Sequence, residues 1–274
     1  MERPIFTLID KSERPETFTT EGIDIIESTI DLSGKTLHFS IRVQEGPAKL
    51  TDIVPLARAI WDKIGAALLD NLAASNQSVQ CGKGCSACCS YLVALSLPEA
   101  CYLQQTFASI PAECRIPIIH DCIDSAQKIL DPAVLEKYNM NNSNDMTEIS
   151  KWYTELDLRC PFLSGRSCSI YAQRPLACRE HLVTTPPELC KTSEPQIPEI
   201  VPIPVSMLEV LGQLTAELEQ TDVEAVILPL AVTCMDHYMP HSYCTWPAVD
   251  MVKHFVRILE SLAAQHMKAV AIPG

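Results

Sequence analysis

The stretch Cys81-Gly82-Lys83-Gly84-Cys85-Ser86-Ala87-Cys88-Cys89 places four thiols within nine residues. Its spacing is C-x3-C-x2-C-C, and the glycines between the first two cysteines let the backbone wrap closely around a small object. Thiolates this close repel one another as anions unless they converge on a metal that holds them deprotonated. The stretch therefore predicts a metal-binding loop. Adjacent residues tend to point apart, so we expect Cys81 and Cys85 to share a centre with only one of Cys88 and Cys89.

A second group of cysteines lies in CPFL (160–163), in CSIY (168–171) and in RPLACR (174–179), with Cys190 further on. Their spacing is too wide for a single zinc knuckle. A cubane iron-sulfur cluster needs four thiolates, and three from one loop with one from a remote segment are a normal set. The candidate metal ligands are therefore Cys81, Cys85, Cys88, Cys89, Cys160, Cys168, Cys178 and Cys190. Which four of these cysteines share a centre stays open. The remaining cysteines are expected to form a second metal site or a redox pair, or to be structural thiols.

The composition is that of an ordinary globular chain, apart from 13 cysteines in 274 residues. An odd number cannot pair completely within the chain. The first twenty residues are interrupted by acidic side chains and do not predict a signal or transit peptide. We therefore expect a reducing cytoplasm, where thiols serve as metal ligands or redox groups rather than as disulfides.

Charge and hydropathy exclude two classes of partner. The formal net charge is -13 and no basic run is present, so binding to nucleic acid, which depends on neutralising phosphates, is not expected. No stretch approaches the length of a membrane span. The expected partner is a protein or small-molecule redox partner whose identity the sequence does not give.

The patterning predicts an α+β fold, mostly α-helical, with a small N-terminal antiparallel β-sheet and a loop-rich cysteine region. Alternating residues predict a hairpin over 22–43 with its turn at Ser33-Gly34. Apolar periodicity, caps and prolines place the other elements. These are helices over 51–75, 98–109, 206–220 and 248–267, a further helix from Pro111 that breaks or kinks at Pro117, a polar loop at 139–145 and a proline-dense connector at 195–204.

The domain organisation predicted from these elements has three parts. Residues 1–50 form a β-hairpin segment, and residues 51–192 form a helical cysteine-cluster domain that binds metal. Residues 193–274 form a C-terminal helical segment packed on the same core.

Taken together, the motifs resemble the cysteine-cluster (CxxCxxCC) family of zinc- or iron-chelating domain proteins. The resemblance rests on the motif at 81–89, on CPFL, on C-x-IY-x2-RP-x2-CR at 168–179 and on Cys190, and it covers roughly residues 78–192. This chain opens with C-x3-C where many members have C-x2-C. A longer branch of the family is similar to flagellin lysine methylases, which pair an iron-sulfur cluster with S-adenosylmethionine. The chain carries no adenosylmethionine-binding signature, so methyl transfer is only weakly implied.

Three functions compete. The first is an iron-sulfur protein, with a 4Fe-4S cluster, that has a redox or group-transfer role as an oxidoreductase or as a cluster-dependent modifying enzyme. The second is a zinc-binding structural or interaction module without catalysis. Zinc sites usually show paired C-x2-C units, and this chain has one, Cys85-x2-Cys88, which favours iron. The third is metal delivery or sensing. Radical enzymes that cleave S-adenosylmethionine share the spacing but need a strand-and-helix barrel that this patterning lacks.

Arg174 and Arg179 flank Cys178, and we expect them to contact the cofactor. A guanidinium near a cluster stabilises its negative charge and tunes its potential, while a structural salt bridge is the alternative for each. Tyr171 is predicted to pack in the core. His181 is a non-cysteine ligand, a proton carrier or a structural residue.

Outside the family motifs, Cys234, His237, His241 and Cys244 have the composition of a zinc site with two cysteines and two histidines. Whether they form a second site stays open. The three other cysteines fall in predicted helical stretches and are expected to be small core residues. They are Cys101, Cys114 and Cys122.

Overall fold

A computed structural model describes residues 4–9, 22–32, 35–137, 146–191, 197–234, 241 and 243–270. Four predicted features lie wholly or partly outside these residues. They are the turn at Ser33-Gly34, the polar loop at 139–145, His237 and the first two residues, 195–196, of the proline-dense connector.

The N-terminal sheet has three antiparallel strands in the order β1-β3-β2: β1 (Phe6–Ile9), β2 (Ile23–Leu32) and β3 (Lys35–Gln44). The predicted hairpin is β2–β3, with Ile23 opposite Gln44 and Leu32 opposite Lys35. Alternation along β3 buries one face of the sheet. The sheet is small and lies near the N-terminus, as predicted, but β1 was not anticipated.

Helices make up most of the described structure, which confirms the mostly helical α+β class. They are α1 (Ile53–Ala74), α2 (Leu97–Ala108), α3 (Ala112–Ile129), α4 (Pro132–Lys137), α5 (Met146–Glu155), α6 (Leu176–Glu180), α7 (Met207–Glu219), α8 (Leu228–Thr233) and α9 (Ala248–Val270). A helix from Pro111 that breaks or kinks at Pro117 was predicted; the break was wrong, because α3 runs through this residue, and the kink stays a prediction. The carbonyl that loses its hydrogen bond belongs to exposed Glu113, where water is available to replace it.

Short strand pairs bring remote parts of the chain together. β5 (Ala94–Ser96) pairs with β8 (Ala225–Ile227), and β4 (Pro47–Ala48) pairs with β9 (Trp246–Pro247). A small hairpin of β6 (Leu163–Ser164) and β7 (Ser167–Cys168) lies within the second cysteine group. These pairs fix the ends of the helices around the cysteine-rich loops.

Three apolar clusters divide the packing of the described residues. The largest joins the N-terminal sheet to α1, α7 and α9. The second core includes Phe107, Cys122 and Phe162, and Cys160 and Cys168 pack against it. The cysteine region therefore rests on a core of its own, beneath α2 and α3. Among the described residues, no helix has the length and apolar character needed to cross a membrane.

Candidate metal centre

The first cysteine loop follows α1 and is shaped by tight turns. The Cys85 N–H donates to Gly82 O at 3.0 Å, and the Cys89 N–H donates to Ser86 O at 3.2 Å. Gly84 has a φ of 94°, which a residue with a side chain adopts only with strain. The turns fold the loop back on itself, so its four thiols face a common region.

The second cysteine group is joined to this loop by the backbone. The Cys160 N–H donates to Cys89 O at 2.7 Å, and the Ser169 N–H donates to Phe162 O at 2.8 Å beside the β6–β7 hairpin. The first bond holds Cys160 against the first loop, and the second fixes the β6–β7 hairpin, which carries Cys168, to Phe162.

Helix α6, which carries Cys178, is anchored by a carboxylate that the sequence did not single out. Glu99 Oε1 accepts a hydrogen bond of 2.8 Å from the Leu176 N–H at the start of α6. Glu99 is itself completely buried at the start of α2, where Ser96 Oγ donates to it. An acidic residue in the first turn of a helix is common, so nothing in the sequence marked this one as a partner of α6.

A cavity of about 90 Å³ lies where the two cysteine groups meet. Seven of the eight candidate ligands line it: Cys81, Cys85, Cys88, Cys89, Cys160, Cys168 and Cys178. Cys190 is not among the lining residues. It is buried nearby and interacts electrostatically with Cys81, Cys85 and Cys88.

The expectation that Cys88 and Cys89 point apart was wrong. Both line the same cavity, and the side chain of Cys89 raises the pKa of Cys88. Side chains of consecutive residues alternate in extended backbone, but this pair lies in a turn in which the Tyr91 N–H donates to Cys88 O at 3.0 Å. Both thiols are therefore available to one centre.

The environment favours neutral thiols. Burial raises the pKa of Cys160 and of Cys190 to about 11. Burial likewise raises the pKa of Cys178, and the side chain of Cys89 together with burial raises the pKa of Cys88. Deprotonating these thiols therefore requires a compensating cation, which a metal supplies.

The thiols surround the cavity rather than meeting at one point. Within the described ranges, no group of three or more cysteine, histidine, aspartate or glutamate side chains stands ready to hold a metal ion. Neutral thiols do not attract one another, so convergence requires the metal itself and rotation of the side chains. The chemistry of the donors, seven thiols on one cavity, fits a soft or borderline metal.

The two predicted cofactor-binding arginines occupy different places. Arg174 lines the cavity and stacks on the ring of Tyr171, with its guanidinium carbon 4.4 Å from the ring centroid. Arg179 is not a lining residue. It donates to Asp62 at 2.8 Å and to the carbonyls of Arg174 and Ala172. Arg179 therefore fixes the segment that carries Arg174. Tyr171 is half-buried at the cavity and does not lie in the core as expected.

The remaining cysteines lie elsewhere, and no disulfide bond joins any of the cysteines in the described part of the chain. Cys101 and Cys122 are buried as predicted, but Cys114 is exposed on α3, so that prediction was wrong for one of the three. Of the separate cysteine-histidine pattern, His241 Nδ1 pairs with Glu219 Oε2 at 2.7 Å and Cys244 is exposed. His237 lies outside the described residues, so this second site stays a prediction.

The cysteine region is similar to a family of known proteins. Residues 80–197 match the CxxCxxCC family model, which is described as a "Putative zinc- or iron-chelating domain". No curated protein and no solved structure matches the chain. The relationship to flagellin lysine methylases stays a prediction. The resemblance predicted from the cysteine motifs is confirmed, and this chain carries a CxxCxxCC domain over residues 80–197.

Proposed function

We propose that the protein binds an iron-sulfur cluster of the 4Fe-4S type at the cysteine-lined cavity and serves a redox or group-transfer role. The observation that supports this is the placement of seven thiols, from separate segments of the chain, around one cavity of about 90 Å³. A cubane cluster takes four thiolates. The remaining thiols are available to a second site or a redox pair.

Several side chains suit such a centre. Phe162 and Ile170 are buried at the cavity, where they limit access of water. Arg174 lies on the same cavity and favours the thiolate forms of Cys88 and Cys178 electrostatically. Its positive charge offsets part of the negative charge that four thiolates bring. A bound cluster would supply one-electron transfer.

Zinc is the alternative occupant. A tetrahedral zinc site takes four ligands and commonly uses cysteine with histidine. The single C-x2-C unit and the surplus of thiols favour iron over zinc. We further propose a reducing, cytoplasmic setting, a protein or small-molecule redox partner, and no nucleic-acid or membrane partner.

The test is purification without oxygen, followed by the ultraviolet-visible spectrum and assays of iron, acid-labile sulfide and zinc on the same sample. We expect a brown protein with iron and sulfide near about four each per chain. A colourless protein with stoichiometric zinc and no sulfide overturns the cluster and leaves a zinc module. A protein that binds neither metal overturns the metal centre altogether.

Cysteine variants locate the centre. Cys160→Ser and Cys178→Ser each remove a thiol that lines the cavity, and we expect either to reduce the bound metal. Cys114→Ser is the matched control, because this thiol is exposed on α3 away from the cavity. Equal loss of metal in the control would show that the effect does not depend on the cavity.

A further inference from the structure

His181 brings a nitrogen atom to the same cavity. It lines the cavity together with the seven thiols, and its Nε2 is buried without a hydrogen-bond partner among the described residues. A buried polar atom without a partner destabilises the folded state. Such an atom requires an explanation, and a bound ion or ligand is one of the recognised explanations.

The ring of His181 is positioned by the elements that build the cavity. It packs edge to face with Tyr91, with centroids 5.5 Å apart and an angle of 75° between the planes. Tyr91 is in turn tied to the cysteine loop by its N–H, which donates to Cys88 O. The backbone N–H of His181, which directly follows α6, donates to Ala177 O within that helix. The imidazole is therefore held between the first cysteine loop and the helix of Cys178.

The chemistry of the ring suits coordination. Burial lowers the pKa of His181 below its usual value, which favours the neutral imidazole. Neutral imidazole is the form that binds metal, and mixed cysteine and histidine ligation occurs both in zinc sites and in one class of two-iron cluster.

We propose that Nε2 of His181 is a nitrogen ligand of the metal centre. The inference rests on the proposed function, since it presupposes a metal in the cavity. The coordinating tautomer carries its proton on Nδ1 and presents the Nε2 lone pair to the metal. His181 then replaces one of the four thiolates that a cubane cluster takes, and the other ligands of the centre are cysteine thiolates.

The test is pulsed electron paramagnetic resonance on protein labelled with ¹⁵N-histidine. The probes are the reduced iron-loaded protein and the cobalt(II)-loaded protein. We expect a directly coordinated nitrogen coupling in the wild type and its loss in His181→Ala. The same variant should release metal to a chelator at least about tenfold faster, and added imidazole should restore both the coupling and retention. His120→Ala is the control, because this histidine is exposed on α3.

The outcomes separate the two proposals. A wild type that binds metal but shows no nitrogen coupling overturns the role of His181 and leaves the proposed function standing. A coupling that persists in His181→Ala does the same. A wild type that binds no metal overturns both. His181→Gln, which nearly preserves side-chain volume, together with a circular dichroism spectrum, distinguishes a lost ligand from a lost fold.

Discussion

The carboxylate of Glu99 accepts a hydrogen bond of 2.8 Å from the backbone N–H of Leu176, 77 residues further along the chain. This bond joins the start of α2 to the start of the short helix that carries Cys178. The Arg58 guanidinium interacts electrostatically with Glu99 and lies over the ring of Tyr102, 5.0 Å from its centroid. The position of one cavity thiol therefore depends on a buried polar group in another element.

Glu99→Gln should destabilise the protein by about 1–3 kcal/mol. The glutamine amide offers one acceptor oxygen, whereas Oε1 of Glu99 accepts from the Leu176 N–H and Oε2 accepts from Ser96 Oγ. The free energy of unfolding, measured by urea titration, checks this prediction. Glu136→Gln, at an exposed position on α4, is the control and should leave stability nearly unchanged. Equal stability of Glu99→Gln and the wild type would show that the Leu176 hydrogen bond contributes little.

The loss of unfolding free energy caused by Glu99→Gln should also depend on pH. Burial raises the pKa of Glu99 above its usual value of 4.5. The folded protein then binds this proton more tightly than the unfolded chain, so the stability that Glu99 contributes is fully present below that value and falls as the pH rises above it. Glutamine does not titrate. The difference in unfolding free energy between wild type and variant should therefore be larger at about pH 5 than at about pH 8. A difference that grows with pH would show that Arg58 and the Leu176 N–H stabilise the charged form more than burial destabilises it.

The helices predicted from sequence were those with a clear apolar period and a recognisable start. For α7, Ser206 is the residue before the first helical turn, and its side chain accepts a hydrogen bond from the Glu209 N–H. The β1 strand and the β5–β8 pair were not predicted, because three or four residues carry too little periodicity and their partners are distant in sequence. Short strands of this kind are fixed by packing.

The candidate site, like the fold, was predictable from the sequence only in part. The cysteine spacing identified the family, and the fold places seven of the eight motif thiols on one cavity. Glu99 gave no sequence signal of its contact with α6, because that contact depends on burial and on a partner remote in the chain. The sequence left His181 open as a ligand, a proton carrier or a structural residue, because the burial of its Nε2 at the cavity depends on the fold. The orientation of Cys88 and Cys89 was missed because it depends on the turn.

Ser206→Ala should destabilise the protein by about 1 kcal/mol. Ser206 Oγ accepts from the Glu209 N–H at 3.3 Å and donates to Glu180 Oε2 at 2.8 Å, so alanine removes a helix cap and one partner of a buried carboxylate. Thermal unfolding monitored by circular dichroism measures the loss. Ser150→Ala, at an exposed position within α5, should unfold at or slightly above the wild-type temperature. A similar shift in both variants would argue against a specific role for the cap.

Arg174→Gln should weaken metal retention without unfolding the protein. The Arg174 guanidinium lines the cavity, and its positive charge stabilises the thiolate forms of Cys88, Cys168 and Cys178. Its removal therefore leaves more uncompensated negative charge around the metal. We expect release of metal to a chelator to be about tenfold faster or more. Arg174→Lys keeps the charge but not the planar stacking on Tyr171, so it should give an intermediate rate. Arg166→Gln, in the exposed turn between β6 and β7, is the control and should release metal at the wild-type rate. Wild-type release from Arg174→Gln would show that the charge next to the thiols does not stabilise the bound metal.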